Sequence, residues 1–304
     1  MRCAWRAGRK RGAEVAGVSL AGVIADGAAA LAAAGVAEAR REALALWGSV
    51  AGMPTGDAVL AVLESRTTPA AAWQDDALAA RYQRAVERRA AGEPLAYVTG
   101  RAGFRHLDLQ VDRRVLIPRP ETEMLVELAL DRRGDGVACD VGTGSGCIAL
   151  SLAREGRYHA VVAVDCSADA LAVAQINARQ ADARVAFVQC NLTAGLRSAS
   201  VDLLVSNPPY LTEGEWTGLD PAVKAWEPRL ALPSGDDGLA ATSELLRDGL
   251  RVLRSGGWLA LEVDCARAHV VAAAARDRGW CDVDVVQDLF GRERYLLART
   301  EQSS

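Results

Sequence analysis

The chain has 304 residues, enough for one α/β domain of usual size and a smaller companion. An apolar share of 50% and a charged share of 24% are those of an ordinary globular protein, and a formal net charge of −4 counts against a protein that grips nucleic acid through many phosphates. The seven cysteines (Cys3, Cys139, Cys147, Cys166, Cys190, Cys265 and Cys281) hold no CxxC pair, and His106, His159 and His269 stand far apart, so the expectation is reduced core thiols in a cytoplasmic protein and no metal site.

The dense basic run from Arg6 to Arg11 reads as a solvated terminus, and residues 1–17 are expected to be a disordered leader or a mis-called start. Glu14 and Asp26 interrupt the alanine-rich run that follows, which argues against a signal peptide. No apolar stretch is long enough to span a bilayer. From Val18 to Ala91 the pattern is helical. Leu20, Val23, Ile24, Ala28 and Leu31 recur at helical spacing, with Gly27 the weak point in the run. Further helices are predicted over 38–49, 56–63 and 69–89, with breaks at Thr55-Gly56 and Thr67-Thr68-Pro69. The expectation for 18–91 is a small helical bundle, either a scaffold or a partner-recognition module. Between Gly92 and Pro118 the period drops to two. Tyr97-Val98-Thr99, then Leu107, Leu109 and Val111, alternate as strands do, with turns at Gly100, Gly103 and Asp112-Arg113. That predicts a hairpin over 92–118 linking two domains.

From 119 to 304 strands and helices alternate. Strands are predicted over 136–141, 160–165, 184–190, 201–206, 257–263, 282–287 and 294–299, with helices between the first six. The first four are largely apolar runs, as when both faces of a sheet are covered. This is a doubly wound, Rossmann-like α/β sheet. Only 288–293 separates the last two strands, too short for a parallel crossover, so the last strand is predicted to run antiparallel.

Two stretches carry chemistry. The strand at 137–141 runs into Gly142-Thr143-Gly144-Ser145-Gly146 and then an apolar helix from Cys147. Glycines let the backbone turn sharply and let a ligand come close, but such a loop alone also fits dinucleotides. The spacing is GxGxG rather than GxGxxG. Asp140 sits just before the loop, where a carboxylate repels a pyrophosphate and attracts the amino group of a methionine moiety. Asp165 ends the second strand, where it can accept both ribose hydroxyls, unless it merely caps the helix at 168–181. Together these favour S-adenosylmethionine over a nicotinamide dinucleotide. At the end of the third strand, Asn191 can offer its carbonyl to the adenine amino group and Leu192 can pack on the ring, although such an Asn also serves as a turn residue.

The second stretch is Asn207-Pro208-Pro209-Tyr210, delivered by the apolar strand 201–206 to the sheet edge where ligands bind. Two prolines stiffen the turn and remove two donors, leaving the Asn207 side-chain oxygen and the Pro208 carbonyl as acceptors. Two acceptors can grip both hydrogens of a planar NH2 group and turn its nitrogen toward a methyl donor. Tyr210 can stack on the planar group. Adenine, guanine, cytosine and a glutamine amide all meet this description.

Two more segments narrow the choice: Gly-Glu-Pro-Leu-Ala-Tyr-Val-Thr-Gly at 92–100 and Ile-Pro-Arg-Pro-Glu-Thr-Glu at 117–123. With Asp-Val-Gly-Thr-Gly-Ser-Gly at 140–146 and Ser-Asn-Pro-Pro-Tyr at 206–210, the chain closely resembles the release factor glutamine N5-methyltransferases, the HemK/PrmC family, from about Val18 to Ala298. Glu227 to Leu232, followed by Gly235 and Asp237-Gly238-Leu239, is similar too. The resemblance implies transfer of a methyl group from S-adenosylmethionine to the glutamine of the Gly-Gly-Gln loop in peptide-chain release factors, by a chain expected to act as a cytoplasmic monomer. Asp140, residues 142–146, Asp165, Asn191, Leu192 and Asn207 would hold the cofactor. Asn207, Pro208, Pro209 and Tyr210 would hold the glutamine, with Asn207, Pro208 and Tyr210 in the catalytic roles. The helical part 18–91 and the hairpin would dock the release factor, and 119–304 would be the methyltransferase domain. The sequence departs from the family at Asp264, where a Gly is usual, and in lacking an aromatic near Leu192. A base N-methyltransferase with the same turn would be expected to carry a basic recognition surface. A non-catalytic adaptor would not need Asp140, the glycine loop, Asp165 and Asn207 together. Glu121 and Glu123 open a predicted helix and are assigned to its N-terminal dipole rather than to a pocket.

Overall fold

The computed structural model describes residues 19–64, 76–219 and 221–302. The proposed leader at 1–17 and the start of the predicted helix at Pro69 lie outside these residues. The chain divides into two compact units, one up to Thr99 and one from Gly100.

The first unit is helical. Helix α1 (Leu20–Ala33) opens at Ser19, whose Oγ accepts from the Gly22 amide at 3.2 Å, and buries Leu20, Ile24, Gly27 and Leu31 along one stripe. Gly27 is where helix α4 (Asp76–Ala90) crosses, and a Cβ there would stand 2.2 Å from the Tyr82 hydroxyl. The glycine that weakens the helical pattern is therefore the residue that permits the packing. Helix α2 (Ala39–Ala51) contributes Ala43, Leu46 and Trp47, and Trp47 meets Tyr82 edge to face with ring centroids 6.0 Å apart. Helix α3 (Thr55–Glu64) packs Ala58 and Val62 into the same core.

Tyr97-Val98-Thr99, expected as strand, belongs to the short helix α5 (Leu95–Thr99). The Pro94 carbonyl accepts from the amides of Tyr97 and Val98, and the Thr99 hydroxyl donates back to the Leu95 carbonyl at 3.0 Å. Arg88 fixes this end, donating to the buried Glu93 carboxylate at 2.5 and 2.8 Å and to the Tyr97 carbonyl at 3.2 Å. These contacts outweigh the β preference of Val98 and Thr99.

The second unit begins with the hairpin β1 (Arg101–Phe104) and β2 (Leu107–Gln110), paired Arg101 to Gln110 and Phe104 to Leu107. The tight turn is at Arg105-His106, with Arg105 at φ 49°, and Gly103 lies within β1 rather than in a turn. Phe104, Leu107 and Leu109 are buried. Asn177 of helix α8 (Ala168–Gln180) ties Gln110 down through both backbone groups, at 2.7 and 2.9 Å.

Among the described residues the main sheet has seven strands: β3 (Asp135–Val141), β4 (Arg157–Asp165), β5 (Ala186–Gln189), β6 (Val201–Ser206), β7 (Leu253–Glu262), β8 (Cys281–Gln287) and β9 (Glu293–Arg299). Their order is β5-β4-β3-β6-β7-β9-β8. All pairings are parallel except those of β9, which is antiparallel to both neighbours, as its short connection requires. Helices α6 (Pro120–Arg132), α7 (Cys147–Glu155), α11 (Ala240–Val252) and α12 (Ala268–Asp277) join α8 as the main crossover and flanking helices, and the shorter α9 (Glu213–Gly218) and α10 (Pro221–Trp226) follow β6. Every residue of β6 is buried, and Cys139, Val141, Leu204, Leu259 and Leu261 share one core with Leu245, Leu246 and Val271. Strand β5 is half exposed, because it is an edge strand with one neighbour. No single described helix is long and apolar enough to cross a membrane.

Candidate functional site

Strands β3 and β6 are adjacent at the centre of the sheet, where the strand order reverses. Val141 lies opposite Ser206, and the Ser206 hydroxyl donates to the Val141 carbonyl at 2.6 Å. The residues that follow each strand, Gly142 and Asn207, therefore emerge side by side at the carboxyl edge, the usual ligand crevice of such sheets. The glycine loop and the Asn-Pro-Pro-Tyr turn, 60-odd residues apart in the chain by their numbering, are brought together by strand pairing.

The loop is built from backbone that favours glycine. Gly142, Gly144 and Gly146 have φ of 76°, 52° and 86°. The amides of Gly142 and Thr143 donate to the Val164 carbonyl at 2.8 and 2.9 Å. Space beside Gly142 and Gly144 is open to 4 Å where a Cβ would stand, while at Gly146 a Cβ would press on Ala174 and Leu150. Two of the glycines thus expose backbone to an incoming ligand, and the third seats the loop on α8.

Two carboxylates fix the loop. Asp165 accepts from the Gly144 amide through Oδ2 and from the Ser167 amide through Oδ1, both at 2.9 Å. The cap of α8 is Ser167, whose Oγ accepts from the Ala170 amide, so Asp165 is free of that alternative task. Asp140 is wholly buried. Its Oδ2 accepts from the Thr143 hydroxyl at 2.6 Å and from the Ala149 amide at 3.1 Å. Its Oδ1 is buried and has no hydrogen-bond partner among the described residues. Burial pushes the carboxyl up to about 7, against the pull of those two bonds. An orphaned carboxylate oxygen held this way fits a cationic group such as the ammonium of S-adenosylmethionine, whose charge offsets the cost of burial. Beyond β5, Asn191 is exposed and its carbonyl takes the Ala194 amide. Leu192, at φ 43°, is half buried against the sheet core.

The turn after β6 borders a cavity of about 220 Å³, lined among others by Leu116, Arg119, Asn207, Pro208, Tyr210 and Leu232. Pro208 is buried, and Asn207, Pro209 and Tyr210 are half buried. Burial, with the nearby Glu262 charge, pushes the Tyr210 hydroxyl up to about 12. Arg119, from the 117–123 segment, donates through one guanidinium nitrogen to both oxygens of the buried Glu227 carboxylate at 2.7 and 2.8 Å, a charge-assisted contact between segments 108 residues apart. On another side, Arg267 donates to the Tyr210 carbonyl at 3.4 Å and to the Glu215 carboxylate at 2.8 Å. Asp264 accepts from the Ala266 amide and pairs with Arg267 at 3.1 Å. Where Gly is usual in the family, Asp is accommodated here without left-handed backbone.

Two residues at the site were not singled out from the sequence. The side-chain amide of Asn207 donates to the Thr122 hydroxyl at 3.1 Å, and that hydroxyl donates to Glu262 at 2.7 Å. Thr122 and Glu262 are both buried. Glu121 and Glu123 lie in the first turn of α6, as a helix dipole favours; Glu123 also accepts from the Arg105 amide. The signal for Thr122 lies in the 117–123 motif, between the two glutamates that open α6.

The strand order, the glycine turn after β3, the acidic residues at the ends of β3 and β4, and the rigid turn after β6 define a methyltransferase that uses S-adenosylmethionine. Comparison with known proteins agrees. Residues 120–219 match the methyltransferase small domain, and residues 23–100 match the PrmC N-terminal domain. A release factor glutamine methyltransferase from Moorella thermoacetica is 43% identical over 270 residues, covering 87% of this chain and 92% of that protein. One from Nitratidesulfovibrio vulgaris is 45% identical over 221 residues, covering 70% and 75%. Among solved structures, a methyltransferase from Pyrococcus furiosus superposes with a TM-score of 0.50 at 19% identity, covering 72% of this chain and 98% of that one, which supports the fold. The chain belongs to the release factor glutamine methyltransferase family.

Proposed function

We propose that this chain transfers the methyl group of S-adenosylmethionine to the side-chain amide nitrogen of the glutamine in the Gly-Gly-Gln loop of peptide-chain release factors. The observation that carries this reading is the placement of Asn207 and Pro208 beside the glycine loop, in the lining of a cavity of about 220 Å³. When bound, the cofactor supplies an electrophilic methyl on a sulfonium. The lone pair of an amide nitrogen is delocalised into its carbonyl, so the protein's task is to hold and turn that nitrogen rather than to supply a strong base. Asn207 Oδ1 and the Pro208 carbonyl accept its two hydrogens, and Tyr210 packs on the amide plane. Asp140 faces the cofactor ammonium, Asp165 its ribose, and residues 142–146 its carboxylate and backbone side. Asn191 and Leu192 lie at the adenine.

In this reading the N-terminal helices and the hairpin dock the release factor. Helix α3 leaves Leu60 and Leu63 exposed, the kind of apolar area a protein partner covers. The protein works as a cytoplasmic monomer and makes no direct contact with nucleic acid. The test is transfer of tritiated methyl from S-adenosylmethionine to a purified release factor, beside parallel reactions with mixed RNA and DNA. Label on the factor, reduced at least about a hundredfold by Asn207→Ala, is expected. Label on the nucleic acids alone would move the assignment to base methylation.

A further inference from the structure

Asn207 is useful to an amide substrate in only one of its two orientations. With Oδ1 toward the substrate it accepts a hydrogen; flipped by a half turn, it opposes the substrate NH2 with an NH2 of its own. An Asn at the end of a strand has no intrinsic preference between the two, so something else must choose.

The choice is made by three side chains from three segments. Thr122 comes from the first turn of α6, Asn207 from the residue after β6 and Glu262 from the end of β7, which pairs with β6 so that Ser206 lies opposite Leu261. Asn207 Nδ2 reaches Thr122 Oγ1 at 3.1 Å, and Thr122 Oγ1 reaches Glu262 Oε2 at 2.7 Å. Thr122 is 3% exposed and Glu262 1% exposed, so water does not compete for these bonds. The polarity of the chain is forced. A hydroxyl has one proton, and an ionised carboxylate can only accept it. The Thr122 oxygen is then left as an acceptor, and only the NH2 end of Asn207 can satisfy it.

We propose that Thr122 and Glu262 form a positioning relay that locks the Asn207 amide with Oδ1 toward the substrate nitrogen, Thr122 acting directly and Glu262 through Thr122. This rests on the function proposed above and adds the pair of residues that makes Asn207 selective for a donor amide.

The relay also carries a pH dependence. Once Glu262 is protonated it can donate to the Thr122 oxygen, the Thr122 hydroxyl hydrogen is then free to turn toward Asn207, and the amide loses its enforced orientation. Burial lifts Glu262 to about 7, and Glu121 on α6 pushes the same way; the Thr122 hydrogen bond, Arg294 of β9 and Arg119 before α6 oppose it. Tyr210, Tyr295 and Cys147 face the same carboxyl and carry no charge near neutrality, since their own groups are held above their usual values. The ionised relay is therefore present above about pH 7 and lost as the pH falls through that value.

The experiment is steady-state methylation of a purified release factor by the full chain at saturating S-adenosylmethionine, from about pH 5.5 to about 9. Wild type is compared with Thr122→Val, Thr122→Ser and Glu262→Gln, and calorimetric cofactor affinity is recorded for each as a check on folding. The valine keeps the shape and removes the hydroxyl, so kcat falls about 10- to 100-fold, with KM for the factor within about threefold. Serine restores the hydroxyl and holds kcat within about threefold of wild type. The acid limb of kcat near pH 7 flattens in Glu262→Gln, whose carbonyl accepts the Thr122 proton without titrating. A Thr122→Val enzyme with wild-type kcat, or an acid limb unchanged in Glu262→Gln, overturns the relay while leaving the function intact. A wild-type enzyme that methylates no release factor overturns both.

Discussion

Replacing Asp140 by Asn separates two tasks assigned to one carboxyl: shaping the glycine loop and meeting the cofactor ammonium. Burial lifts the wild-type carboxyl from the usual 3.8 to about 7. At roughly 1.4 kcal/mol per pKa unit, that lift corresponds to at most about 4 kcal/mol. The folded chain holds this proton more tightly than the unfolded chain does. The stabilisation is therefore complete below about pH 4 and is lost as the pH rises through about 7. Asparagine can keep the bonds from Thr143 and Ala149 through its own oxygen, and it does not titrate. Its NH2 group replaces the partnerless Oδ1, at a cost of about 1–3 kcal/mol. The variant should thus melt below wild type at about pH 5, with the gap closing or reversing by about pH 8.5. Cofactor binding reads the second task. In wild type the affinity for S-adenosylmethionine should rise with pH up to about 7 and fall again as the cofactor amino group loses its proton at about pH 8, because the pairing needs an ionised carboxyl and an ammonium. In Asp140→Asn it should be weak and flat. Thermal melts and calorimetric titrations across that range measure both. A stability difference that does not change with pH, or a flat wild-type affinity, would refute the reasoning.

Two other changes probe the walls and the first unit. Arg119→Ala strips the buried Glu227 of its charged partner and should cost about 1–3 kcal/mol in urea unfolding, with Glu227→Gln in the same background recovering part of the loss. Gly27→Ala drives a methyl to within 2.2 Å of the Tyr82 hydroxyl and should destabilise the helical unit by about 1–3 kcal/mol, read from a thermal melt of the full chain followed by circular dichroism.

The sheet was largely legible in the sequence because strand runs, connection lengths and glycine turns are local signals. The antiparallel last strand followed from the few residues between β8 and β9, and the glycine loop and the Asn-Pro-Pro-Tyr turn each sit within one short stretch. Local reading failed where tertiary contacts decide. Val98 and Thr99 favour strand by composition, yet Pro94 and the Arg88–Glu93 pair hold them helical. Gly103 looked like a turn and is strand, because the hairpin turns at Arg105. The run at 184–190 reads as covered on both faces, yet β5 is half exposed at the end of the sheet, and the strand order that puts it there is no property of the run itself. The contacts of Thr122 with Asn207 and Glu262 span 85 and 140 residues, so no pattern within a window could connect them.

The most direct measurement is peptide mass spectrometry of a release factor after incubation with this protein and S-adenosylmethionine, with a factor carrying Glu in place of the Gly-Gly-Gln glutamine run alongside. One added methyl group on that glutamine, placed on the side-chain nitrogen by fragmentation and absent from the Glu factor, is the predicted result. Methylation elsewhere on the factor, or none with a cofactor-loaded enzyme, would contradict it.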